Sequence, residues 1–79
     1  MNVDRHERFK QQLNRMHDRG IRRTIRSLRR NIASHEQKIV NEPTSRAVRH
    51  WQKEIIVWQE QLNLVIREAQ RREIYDGKE

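Results

Sequence analysis

The chain has 79 residues, 37% of them charged and 33% hydrophobic, with a formal net charge of +7. That length allows one domain and a small core, and the absence of cysteine excludes disulfides and thiolate zinc sites as stabilisers. Self-association or a partner is then the expected source of added stability.

The first ten residues, MNVDRHERFK, are charged and lead into no apolar run, so no signal peptide is expected. No stretch approaches the ~20 apolar residues of a membrane span. The expectation is a cytoplasmic protein with no membrane partner and no small-molecule substrate.

Residues 3–39 carry a helical pattern. Phe9, Leu13, Met16, Ile21, Ile25, Leu28, Ile32 and Ile39 fall on one side. Nine arginines fall on the other: Arg5, Arg8, Arg15, Arg19, Arg22, Arg23, Arg26, Arg29 and Arg30. At about 100° per residue they occupy an arc of roughly 120°. Residues 1–40 hold eleven Lys and Arg against four Asp and Glu, whereas residues 41–79 hold seven of each. The excess charge therefore belongs to the ridge. Arginine outnumbers lysine fourteen to four, and its planar fork suits phosphate or carboxylate.

One defect interrupts this half. Phe9, Leu13 and Met16 are out of step with Ile21, and the slip falls at Gly20, a poor helix-interior residue. Either the helix runs through with a kink, or Gly20 caps a short first helix and a three-helix arrangement results. The ridge keeps its phase through Arg15, Arg19, Arg22 and Arg26, which favours the continuous helix.

Asn41-Glu42-Pro43-Thr44-Ser45 punctuates the chain, and a turn is expected over residues 40–45 with Thr44 as N-cap of a second helix over 45–75. In that helix Val48, Trp51, Ile55, Trp58, Leu62, Val65 and Ala69 are spaced alternately three and four apart, a coiled-coil seam. Ile21, Ile25, Leu28, Ile32, His35 and Ile39 repeat the seam in the first helix. The short connection forces antiparallel pairing, with Ile32 facing Ile55 and Ile21 facing Val65. The two tryptophans at heptad spacing read as core. The tail Asp76-Gly77-Lys78-Glu79 is expected to fray.

Val57, Leu64 and Tyr75 line a second stripe, away from the seam. On a chain this small they suggest another helix against them, and hence a homodimer of hairpins forming a four-helix bundle with the ridges outside.

The expected fold is all-α: a helical hairpin, possible in three-helix form at Gly20. Catalytic chemistry is not expected. The four histidines share no metal-type spacing, and His35 and His50 near the turn are too few ligands for a first-row metal. There is no nucleophile cluster and no phosphate-cradling glycine loop. Metal and other cofactors are expected to play no part. Arg8, Arg15, Arg19, Arg22, Arg23, Arg26, Arg29 and Arg30 are the expected binding residues. Their partner is nucleic acid, DNA or RNA, contacted through its backbone. The alternative is an adaptor or inhibitor docking on an acidic protein.

Overall fold

The computed structural model describes residues 5–75. Over that span the chain is all-helical: α1 (Glu7–Arg15), α2 (Asp18–Asn41) and α3 (Val48–Arg71). Helices α2 and α3 pack against each other as an antiparallel hairpin, and α1 packs on α3. The whole is flat, 42 × 38 × 14 Å. The expectations for residues 3, 4 and 76–79 lie outside the described residues.

The first helix does not run through, which corrects the continuous-helix expectation. The break lies at Met16 and His17, both in extended backbone (ψ 144° and 160°), and not at Gly20. Gly20 sits in the first turn of α2. The physical cause is the slip in the apolar pattern. On a straight helix Phe9 and Met16 would lie roughly 120° and 140° around the axis from Ile21 and could not face the same partner. Two extended residues re-aim the chain instead, so that Phe9, Leu13 and Met16 reach the shared core from a separate helix. The arginine phase misled because solvent-facing residues do not constrain the helix axis. One consequence is a shorter rod: α2 has 24 residues, or about 36 Å at 1.5 Å per residue.

The break leaves carbonyls of α1 needing donors, and Arg72 supplies them. Its Nη2 donates to the Leu13 carbonyl at 2.8 Å and its Nη1 to the Met16 carbonyl at 2.7 Å and to Asp18 Oδ1 at 3.1 Å. Its Nε donates to Glu68 Oε2 at 2.7 Å. One guanidinium thus ties α1, the elbow and the end of α3 together. A second tie lies at the start of α1. Arg5 Nε donates to Glu60 Oε1 at 3.1 Å, and His6 Nε2 lies 2.8 Å from the same oxygen.

The core is a short line of side chains. Leu13, Ile21, Ile25, Leu28, Ile32, Leu62, Val65 and Ala69 are buried, with Ile21 and Val65 fully so. From residue 33 to residue 61 no side chain is buried. Trp51, Ile55 and Trp58 in the seam are half-buried. The loop end of the hairpin therefore consists of two helices with nothing over them, whereas α1 thickens the opposite end.

The connection, residues 42–47, lies two residues later than the expected turn over 40–45. Ser45 N donates to Glu42 O and Val48 N to Ser45 O, making two consecutive turns. The Ser45 hydroxyl, and not Thr44, accepts from the Ala47 amide at 3.1 Å. Helix α3 starts at Val48, three residues later than the expected start at 45. It also stops short of residue 75. Glu73 adopts φ 60°, and Ile74 N donates to Ala69 O. This left-handed reversal turns Ile74 and Tyr75 back onto the core.

Candidate nucleic-acid interface

The ridge is built on the outside of α2 because its inner stripe is committed to the seam. Ile21, Ile25, Leu28 and Ile32 are the buried residues of α2. At 100° per residue, Arg19, Arg22, Arg23, Arg26, Arg29 and Arg30 then fan over the opposite side. All are exposed except Arg29, which is half-buried. From Arg19 to Arg30 the ridge extends about 17 Å along the axis. Arg8 and Arg15 are exposed on α1, two turns apart.

Not every predicted arginine is left for a ligand. Arg5 is spent on Glu60. The Arg29 guanidinium donates to the Tyr75 hydroxyl at 2.9 Å. Arg26 also has an intramolecular partner. Among the described residues, Arg8, Arg15, Arg19, Arg22, Arg23 and Arg30 form no ion pair and no side-chain hydrogen bond. The helix supplies few carboxylates to neutralise them. Asp18 is taken by Arg72. Six guanidinium groups on α1 and α2 thus carry charge with no intramolecular ion pair among the described residues, as do those of the exposed Arg46, Arg49 and Arg67.

The break gathers three of these. Arg15 at the end of α1 and Arg19 and Arg23 on α2 line an open cleft at the elbow, together with Met16, His17 and Gly20. The sequence pattern pointed to these arginines but not to the concavity, because the place of the elbow was not legible there.

Glu60 and Glu68 on α3 are held by cations. Glu68 is pulled down to about 2, chiefly by its hydrogen bonds from Arg71, with Arg72 adding to this against the cost of burial. Glu60 is lowered by the bond from Arg5 and then by that from His6.

The expected partner stripe is divided. Leu64 and Tyr75 are half-buried and packed against the core, while Val57 is half-buried outside it. The large exposed apolar side chains are Val40, 71% exposed, and Ile56, 55% exposed.

His35 sits in the seam with its ring edge-on to Trp58, centroids 4.7 Å apart. Its Nε2 is 3.3 Å from Glu54, which also holds His50, and its buried Nδ1 has no hydrogen-bond partner. Among the described residues no group of three or more His, Cys, Asp or Glu side chains is placed to hold a metal ion. Nor is any helix among them long and apolar enough to cross a membrane.

No protein-family model matches this chain, and neither a curated protein nor a solved structure does. The functional reading therefore rests on its own geometry and charge.

Proposed function

We propose that the protein is a small non-enzymatic module that binds the phosphate backbone of DNA or RNA through the arginines of α1 and α2. The single observation that carries this reading is the group of six exposed arginines without an intramolecular ion pair among the described residues. Arg19, Arg22, Arg23 and Arg30 share one side of α2, where like charges crowded on a helix repel. Guanidinium groups bind phosphate in bidentate fashion, so the repulsion is relieved when a polyanion docks. Backbone contact of this kind is largely blind to sequence and sensitive to salt.

The reading includes a cytoplasmic location and a homodimer. The dimer is favoured by the thin loop end of the hairpin, where residues 33–61 bury no side chain and Ile56 and Val40 are exposed.

The test is a fluorescence titration of a random-sequence duplex. With six arginines engaged, raising salt from about 50 to 200 mM should weaken binding roughly a thousandfold. Absence of binding at about 50 mM salt, with capture of an acidic protein instead, would replace this reading with the adaptor one.

A further inference from the structure

At the elbow between α1 and α2 three arginines without an ion pair line one concavity. Arg15, Arg19 and Arg23 line it. The rest of the lining is different in kind: Met16 and the side-chain-free Gly20 are half-buried, whereas the three arginines are exposed. The exposed imidazole of His17 completes the wall. The cleft measures about 570 Å³, inside the ~300–1,000 Å³ range of ligand sites.

Two chemistries meet here at close range. Three guanidinium groups call for an anion with several oxygens. The half-buried thioether of Met16 beside side-chain-free Gly20 offers an apolar patch that can serve as the floor for a planar group, and sulfur is a favourable neighbour for an aromatic ring. A nucleotide carries both parts, a planar base and a phosphate joined through a sugar. The mouth is open, so the occupant can remain attached to a strand. A base paired within a duplex cannot reach such a floor; an unpaired one can.

We propose that the elbow cleft receives one unpaired nucleotide of the bound nucleic acid, its base against Met16, Gly20 and His17 and its phosphates on Arg15, Arg19 and Arg23. This rests on the nucleic-acid reading above and specifies what that reading leaves open: a preference for bulged or single-stranded sites over a perfect duplex.

Gly20 offers a test that removes no charge. A Cβ placed there would lie 3.6 Å from Met16 Cβ and 3.9 Å from its sulfur, ordinary contact distances. Gly20→Ala therefore fits, and it favours the helix. Gly20→Leu adds a branched side chain at the same point of the lining and should cover the Met16 patch. Anisotropy titrations at about 100 mM salt would compare a perfect DNA duplex with the same duplex carrying one bulged adenine. Helical dichroism would confirm that each variant folds.

The wild type should bind the bulged duplex about tenfold more tightly than the perfect one, the range expected for stacking one base. Gly20→Leu should erase that preference while keeping perfect-duplex affinity, and Gly20→Ala should retain most of it. Free adenosine monophosphate at millimolar concentration should not displace the bulged duplex, because it lacks the ridge contacts.

Equal wild-type affinity for the two duplexes would overturn the cleft proposal and leave the ridge reading standing. A preference that survives Gly20→Leu would overturn it also. Displacement by the free nucleotide would show a small-molecule site instead. Failure to bind either duplex at about 50 mM salt would remove the ridge reading and this proposal together.

Discussion

Arg72 does more for this fold than any other polar side chain. It satisfies two carbonyls at the end of α1 and pairs with Asp18 and Glu68 at once. Replacing it with alanine should remove the donor to the Met16 carbonyl, leave the Leu13 carbonyl only the Met16 amide, and let α1 lift away from α3. Native-state hydrogen exchange should then show amides 7–15 exchanging much faster while those of Ile25 and Val65 stay protected. Uniform loss of protection would mean that α1 is not a separable unit. Lysine cannot rescue this site, because an ammonium lacks the fork that reaches four acceptors. Glu68 makes the matching pH prediction. Its folded pKa lies near 2, below the unfolded value of 4.5. A lowered carboxylate contributes stability that is fully present above the unfolded value and is lost as pH falls through the folded one. Thermal stability should therefore hold from neutral pH to about 4.5 and decline toward pH 2. Glu68→Gln should start lower and show a shallower decline on that side, read by melting curves across the range.

At the scale of the element, both ends of the helices depart from what the residue pattern suggested, and each departure has a local cause. The seam spacing in Ile21, Ile25, Leu28 and Ile32, and again in Leu62, Val65 and Ala69, was legible because burial selects residue type at every turn. The α1–α2 break was legible as the three-helix alternative through the apolar slip. Its place at Met16 and His17 was not, because its donor, Arg72, is 54 residues from Asp18 and looks like any surface arginine in the sequence. The α3 terminus was hidden because Glu73, not glycine, takes the left-handed position. Glu73→Gly should relieve that strain and raise stability by about 1 kcal/mol in chemical denaturation; no gain would mean the reversal is not held in solution. The seam itself is uneven. Ile25 is 1% exposed, and Ile25→Ala should cost about 2–5 kcal/mol. Trp58 is only half-buried beside His35, so Trp58→Ala should cost less than a wholly buried aromatic would. The same unfolding experiment ranks the two, and the reverse order would place the core at the loop end.

At the scale of the whole molecule, the sequence showed which residues carry the charge but not which remain available. Arg5 and Arg29 share the phase of the ridge and are drawn off by Glu60 and Tyr75, contacts formed only once the helices assemble. What is left is a flat, thin body with an arginine face on α1 and α2. The proposed role of this face is to meet phosphate. The most direct measurement is the salt dependence of duplex affinity for the wild type and for Arg22→Glu/Arg30→Glu. Both residues are exposed, neither lines the elbow cleft, and neither takes part in an ion pair among the described residues. The account predicts that the double variant melts within about 0.5 kcal/mol of the wild type, that its affinity falls at least tenfold, and that its log–log salt slope shrinks by about two. An unchanged slope and affinity would contradict it.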